Sequence, residues 1–301
     1  MPRFDVSPAA PHELLPACRL LFNTPDSEQS RECLLSAGAA SRLFVARAAG
    51  RLCGATLVQV MPGAMGVTCP PHGESAEAQD AVTAAACAWL RERSVKVCQA
   101  FAAADEIGAM APLERYGFRH VTQLVFLRRE VDRARDTIAW QPRESPVFLS
   151  SYKPGNAKLF AETLVATHEA SLDCPELNEA RTHADILDGF SQPHPTPEKW
   201  YRVLVHEACN PFAKPAAGVL VFDDGPEPDT RGISYLGVVP ACRGRGYGDW
   251  LIRFAVQTAS AAGDALTLSV DVRNTPAMKL YARHGFVAYD RREAWLATWP
   301  G

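Results

Sequence analysis

The chain is 301 residues long, 47% hydrophobic, and carries a formal charge of −3. That length points to two domains of about 150 residues, and the weak net charge with scattered Lys and Arg excludes a general attraction to nucleic acid or anionic lipid. No apolar run approaches the roughly 20 residues of a membrane span, no apolar segment of the signal-peptide kind follows the N-terminus, and the nine cysteines are dispersed without a C-x-x-C pair, so the reading is a cytoplasmic protein with reduced, mostly buried thiols.

In chain order, residues 3–6 are expected to form a strand and residues 12–22 and 28–37 helices. Residues 42–49 and 52–60 are apolar and β-rich, separated by Ala-Gly-Arg, which predicts a hairpin. Residues 66–69 make a third strand. After the loop of residues 70–75 comes an Ala-rich helix, 77–93, with Val82, Ala85, Ala86, Trp89 and Leu90 at helical spacing. A strand at 95–101, a helix at 105–116 and one or two closing strands in 118–131 follow. Residues 132–146 are polar, charged and interrupted by two prolines, and are taken as the boundary between a domain of residues 1–138 and one of residues 145–301.

The second half restarts with a strand at 147–151 and a helix at 156–171. The polar stretch 173–179 precedes a helix at 181–190 and a Pro/His loop at 193–197. Strands are expected at 200–206, 216–223 and 232–239. A glycine-rich turn, a helix at 249–262, a strand at 266–272, a helix at 274–284 and the last strands in 286–299 complete the chain. The halves share this order, and the fourth helix of each ends alike, in Tyr116-Gly117-Phe118 and His284-Gly285-Phe286. A Gly after a helix is common by itself, since it takes the left-handed cap at low cost. Its recurrence in the same element order points to an internal duplication.

The turn reads Val238, Val239, Pro240, Ala241, Cys242, Arg243, Gly244, Arg245, Gly246, Tyr247, Gly248. A strand enters it and a helix leaves it. Glycines at alternate positions free the backbone to direct successive N–H groups one way, and the helix adds unpaired first-turn N–H groups and the positive end of its dipole. The product is a phosphate or pyrophosphate pocket. It is not a P-loop, because neither the Lys nor the following hydroxyl residue stands after Gly246. It is not a Rossmann fingerprint, because the third glycine comes one position early.

Here the sequence resembles the GCN5-related N-acetyltransferase (GNAT) family. The motif Arg/Gln-x-x-Gly-x-Gly/Ala after a Val-x-Pro strand end is matched by Val239, Pro240, Arg243, Gly246 and Gly248. Asn274, Ala277, Leu280, Tyr281, Gly285 and Phe286 match the helix-opening Asn and the Leu-Tyr pair before Gly-Phe. The resemblance implies an α/β fold of two tandem acyl-CoA N-acyltransferase domains, each with a central, mostly antiparallel sheet of six to seven strands flanked by helices. The first half carries no Arg-x-x-Gly-x-Gly. Alignment on Gly-Phe places Leu113 where Tyr281 stands and Glu106 where Asn274 stands. The first half therefore reads as a degenerate copy, in a tandem layout similar to that of mycothiol synthase, and catalysis is expected in the second.

What the resemblance implies for function is acetyl transfer from acetyl-CoA to the amine of a small molecule by direct attack. Val238, Val239, Arg243, Gly244, Arg245, Gly246, Tyr247 and Gly248 would hold the cofactor, with Asn274 and Ala277. The N–H of Val239 or a neighbour would polarise the thioester carbonyl, and Tyr281 would be the general acid. Other readings stand beside these: surface arginines, a helix-capping Asn274, a wall or core tyrosine. Asp173, Glu176 and Glu179 would suit a cationic acceptor or cap helices. No carboxylate lies between Arg231 and Val239, where many family members place a base, which leaves Glu207, His206 or a water chain. His183 and His194 lack the partners for a metal site. No nucleic-acid or membrane partner is expected, and homodimerisation is left open. The alternative function is an acyl-CoA-binding sensor or scaffold without turnover.

Overall fold

The computed structural model describes residues 4–22, 41–136, 146–190, 201–262 and 265–299. The helix expected at 28–37 and the loop at 193–197, with His194, lie outside the described residues. The chain divides into two compact units. Unit 1 comprises Met1–Thr122, Glu179–Phe190 and Arg292–Gly301, and unit 2 comprises Gln123–Asn178 and Ser191–Arg291.

Unit 1 begins with β1 (Asp5–Pro8), a single 3-10 turn, α1 (Leu14–Phe22), and the hairpin β2 (Ser41–Ala48) and β3 (Arg51–Met61). Ala49 and Gly50 close that hairpin with φ of 50° and 78°, the left-handed pair whose twist suits a two-residue turn. β4 (Met65–Thr68) follows, then β5 (His72–Gly73), α2 (Ala76–Arg91), β6 (Val97–Ala102) and the short α3 (Ala111–Glu114). Ser75 caps α2 by accepting from the Ala78 N–H at 3.2 Å. The buried face of α2, which includes Val82, Ala86, Trp89 and Leu90, packs into one core with Phe44, Val58 and Ala100. The helix expected at 105–116 is shorter than its sequence pattern: a 3-10 turn (Ile107–Met110) precedes α3, with Pro112 in the first turn of α3.

β7 (Arg119–Arg129) and α4 (Arg133–Asp136) lead to the second half. Unit 2 then holds β8 (Val147–Ser151), α5 (Ala157–His168) and α6 (Pro175–Glu179), the last formed within the expected polar stretch. α7 (His183–Asp188) belongs to unit 1. β9 (Tyr201–Glu207), β10 (Gly218–Asp224), β11 (Thr230–Val238), α8 (Tyr247–Ala262), β12 (Ala265–Asp271) and α9 (Thr275–Arg283) complete the order before β13 (Val287–Thr298), one strand where several were expected. Gly117 and Gly285 follow α3 and α9 with φ of 90° and 77°, the left-handed cap expected of them.

The mixed, mostly antiparallel sheet of the sequence reading is present in each unit, and each contains one parallel pairing, β4 with β6 and β11 with β12. The closing strands are exchanged. In unit 2, residues 124–129 of β7 pair antiparallel with β12, and Val125 and Leu127 enter the core with Leu220, Phe222 and Leu266. In unit 1, residues 293–298 of β13 pair antiparallel with β6. Trp295 is 1% exposed there and joins the core under α2. Unit 2 begins at Gln123, ahead of the expected boundary at 132–146, and unit 1 takes in two segments of the second half, residues 179–190 and 292–301. No helix among the described residues is long and apolar enough to cross a membrane. Most of the described cysteines are buried.

Candidate active site

The site is built where β11 leaves β12. The two strands pair in parallel only at Thr230, Arg231 and Gly232. Beyond that β11 continues to Val238, paired on its other edge with β10, while β12 continues to Asp271, paired on its other edge with β7. The register of β11 against β10 shifts between Val221 and Phe222, leaving Ser234 as the extra residue. Such a bulge bends and twists its strand, and it stands at the start of the divergence. The opening is a cavity of about 640 Å³, lined by β11, β12, the glycine turn, α9 and residues 170–173.

Backbone parity decides which amides face the cavity. The N–H of Val239 donates to Ala217 O at 2.9 Å, on the β10 side. N–H directions alternate along a strand, so Val238 and Leu236 present theirs to the open side. Val239 itself is only 5% exposed and does not line the cavity. Of the two readings offered by the sequence, Val239 or a neighbour, the geometry favours the neighbour.

After Val239 a 3-10 turn (Pro240–Cys242) leads to Gly244 and Gly246, with φ of 76° and 82°. A Cβ on either would meet no atom within 4 Å, so the fold needs these glycines for their left-handed backbone. Gly248 answers to packing: a Cβ there would stand 3.1 Å from Leu280 Cδ2, on α9. Among the described residues no backbone carbonyl accepts the N–H of Gly244, Arg245 or Gly246. These donors and the N-terminus of the 16-residue α8 suit an anion.

The two arginines of the turn are exposed but bonded back onto the protein. Arg243 donates through Nε to Val238 O (3.0 Å), through Nη1 to Ala170 O (2.9 Å), and through Nη2 to Thr167 O (3.1 Å) and Glu169 O (2.7 Å). It thus caps the C-terminus of α5 and ties it to the strand end, a favourable place for a cation. Among the described residues no carboxylate pairs with it, and it lines the cavity. Arg245 donates to Glu207 Oε1 at 2.6 Å, which also accepts from the Tyr247 hydroxyl at 2.8 Å. Glu207 is therefore a brace for the turn. His206 bonds Ser150 Oγ at 2.8 Å and stacks on Phe148, and burial pushes its pKa down. Neither of these two candidate bases lines the cavity.

Across the slot, Asn274 caps α9, its Oδ1 accepting from the Ala277 N–H at 3.3 Å. Both residues line the cavity, as does Tyr281. Tyr281 is 7% exposed, its ring packs on Phe286, and its hydroxyl has no hydrogen-bond partner among the described residues. Burial, reinforced by the negative charge of Asp173, holds its pKa well above the ordinary phenol value. The hydroxyl stays protonated and points no proton at the protein.

Of the three acidic residues singled out between α5 and α7, one reaches the cavity. Asp173 lines it, and its Oδ1 accepts from the Asp271 N–H at 2.8 Å. Glu176 is engaged by Arg273 through both oxygens (2.7 and 2.9 Å), a bidentate pair that holds its carboxyl low. Arg273 also binds the fully buried Asp271, which accepts from the Cys174 N–H. This network fixes residues 173–176 to the end of β12. Glu179 belongs to unit 1. Tyr235 and Ser269 line the cavity without having been singled out from sequence. Tyr235 bonds Thr167 Oγ1 at 2.8 Å and stacks on His168. Strand alternation alone could have placed both, but only if the splayed edge had been known.

Residues 170–286 match the model of the acetyltransferase (GNAT) family. Over 134 residues the chain is 31% identical to a mycothiol acetyltransferase of Jonesia denitrificans; the match covers 44% of this chain and 41% of that relative. Among solved structures, a GCN5-related N-acetyltransferase from Sphaerobacter thermophilus is similar with a TM-score of 0.61 at 18% identity, covering 98% of this chain and 95% of that one. A tandem GNAT protein from the clavulanic acid biosynthesis pathway is similar with a TM-score of 0.56 at 15% identity, covering 99% and 100%. At such identities the likeness is one of fold. Its sequence is thus similar to the GNAT family over residues 170–286, and its fold is similar along the whole length to that of a tandem GNAT protein.

Proposed function

We propose that the protein is an acetyl-CoA-dependent N-acetyltransferase that acts on the amine of a small molecule, with its chemistry in unit 2. The observation that carries this reading is the splayed slot: it ends at one side in unpaired turn amides and faces, at the other, a buried phenol with a free hydroxyl. The donor set fits a diphosphate-bearing thioester. The amides of Gly244, Arg245 and Gly246 would hold the pyrophosphate with the N-terminus of α8. The exposed edge of β11 would take the pantetheine arm as an added strand. The Nδ2 of Asn274, without a partner among the described residues, is a further donor, and Ala277 leaves room beside it. When bound, the cofactor supplies an activated acetyl carbonyl and a thiolate leaving group.

The chain's own residues then have separable tasks. The N–H of Val238 polarises the carbonyl oxygen, a role typically worth about 3 kcal/mol. The protonated hydroxyl of Tyr281 donates to the departing sulfur. Unit 1 has no part in cofactor binding, because β4 pairs with β6 over its whole length and no left-handed glycine occurs in residues 69–75. Calorimetric titration with CoA, together with release of free thiol from acetyl-CoA over a panel of small amines, tests the reading. Micromolar CoA binding with amine-dependent thiol release is the expected result. Binding without turnover would favour the acyl-CoA sensor, and neither would sink both.

A further inference from the structure

This inference rests on the acetyltransfer reading and supplies the group that the sequence left unassigned. A cationic amine must lose a proton before its lone pair can attack. β11 carries no carboxylate toward the slot, and Glu207 and His206 lie outside it. The cavity lining contains two carboxylates among the described residues, Asp173 and Asp249. Asp249 stands in the first turn of α8 and has both oxygens engaged, Oδ2 by Arg253 Nε and Oδ1 by His284 Nε2, each at 2.7 Å. Asp173 has one oxygen held by the Asp271 N–H and the other, Oδ2, without a partner among the described residues.

We propose that Asp173 is the general base of this site, its Oδ2 taking the proton from a cationic primary amine held in the cavity. Three features of the place support it. The side chain is positioned by a backbone bond rather than by a salt bridge, so it keeps an open acceptor. It is set against the end of β12 by the Asp271–Arg273–Glu176 network, so it is fixed where α9 brings Tyr281. It shares the cavity with Tyr281 closely enough that its charge raises the phenol's pKa. Two titratable groups with open valences and opposite protonation states are the pattern of a base and an acid divided by environment. The groups facing Asp173 are Asp271 and Arg273 from the end of β12, Cys174 on its own loop and Tyr281 from α9. Asp173 is itself exposed, yet the protein packed around its carboxylate, with the Asp271 charge, outweighs the Asp271 N–H bond and the Arg273 charge and raises its pKa from the ordinary carboxylate value.

The step balances as follows. The ammonium gives one proton to Asp173, which passes it to solvent through the open cavity. The nitrogen lone pair forms the C–N bond as the thioester C–S bond breaks with its electron pair on sulfur. The nitrogen loses its second proton to Asp173, which again releases it to solvent, and the sulfur is protonated with Tyr281 as donor, which regains its proton from solvent. The products are the amide, the thiol and one released proton.

The test is Asp173→Asn, since the amide oxygen retains the bond from Asp271 but accepts no proton. Full-length wild type, Asp173→Asn and Tyr281→Phe are compared by thiol release with small primary amines across neutral and alkaline pH, by calorimetry with CoA, and by thermal melting. The expected result is unchanged CoA affinity and melting for Asp173→Asn. Its kcat/KM falls about 10²-fold or more at neutral pH, and keeps rising with pH toward the amine's own pKa, because deprotonation is left to solvent. Wild-type kcat/KM with an unchanged pH profile in Asp173→Asn would overturn the proposal while leaving acetyl transfer intact. So would a loss of activity that merely follows lost CoA affinity or lowered melting. A wild type that binds CoA without turnover, or binds none, would defeat the catalytic reading and this proposal with it.

Discussion

Units 1 and 2 share a run of three strands, a helix, a strand and a helix, from β2 to α3 and from β9 to α9, and differ at the joint after the third strand. In unit 1, β4 pairs with β6 from Met65 to Thr68 and then stops. The loop beyond folds back on β3: the Cys69 N–H donates to Leu57 O and the Glu74 N–H to Cys53 O, each at 2.9 Å, and β5 pairs with β3. In unit 2, β11 runs on past its last pairing with β12, and the turn amides that follow have no backbone acceptor among the described residues. Buried or half-buried amides must find partners somewhere. Unit 1 spends them on itself, and unit 2 presents them. The position facing the slot tells the same story: Leu113 in unit 1 is 1% exposed and part of the core, whereas Tyr281 in unit 2 keeps a hydroxyl toward the cavity.

The largest expected effect tests whether the units are separable. A fragment of residues 145–301 lacks β7, so β12 loses its neighbour and the core loses Val125 and Leu127. It is expected to be insoluble alone and to be recovered by co-expression with residues 1–138, read by soluble yield and circular dichroism. A soluble, active 145–301 fragment would show the exchanged strand to be dispensable.

Next comes the contrast between Tyr281 and Leu113. Tyr281→Phe is expected to lower kcat/KM about 10²-fold with CoA affinity unchanged, whereas Leu113→Ala should cost about 2–5 kcal/mol of stability and leave the kinetics of the folded fraction alone. Denaturant titration beside steady-state assays separates the two. Equal losses of activity per folded molecule would erase the functional difference between the units.

A smaller effect is expected at the turn. Gly246→Ala forces a side chain into a left-handed backbone, at a cost of about 1–2 kcal/mol, read by calorimetry as roughly a tenfold loss of CoA affinity. Gly73→Ala, in the corresponding loop of unit 1, should leave CoA affinity unchanged. The smallest is Glu207→Gln, which removes the charge that braces Arg245 and keeps an acceptor for the Tyr247 hydroxyl. A few-fold loss of CoA affinity without a change in pH profile is expected. A lost acidic limb in this variant would instead return Glu207 to the role of base.

The elements themselves were legible because their causes are local. Helical spacing in α2, the left-handed glycines after α3 and α9, and the strand-turn-helix pattern at residues 233–262 are written within a few residues of where they act. So was the composition of the glycine turn at the cavity, since glycine most readily takes the left-handed backbone seen at Gly244 and Gly246. The roles of Arg243 and Arg245 were not legible. Nothing in the turn indicates that one would cap α5 and the other would meet Glu207, because these partners come from distant parts of the chain. The same holds for Val239. Which of two adjacent amides faces a slot follows from the register with β10, a pairing that only the assembled sheet defines.

By itself, the sequence determined a duplicated α/β chain with one glycine-rich strand-turn-helix, a helix-borne tyrosine after it and a family resemblance carried by those residues. Tertiary structure alone decided the exchange of β7 and β13, the divergence of β11 from β12, and the selection of Asp173 from its acidic neighbours. The physical reason is range. Backbone conformation and periodic burial are set by neighbours in sequence, while strand partners, amide directions and the environment of a carboxylate are set by residues that folding brings from elsewhere.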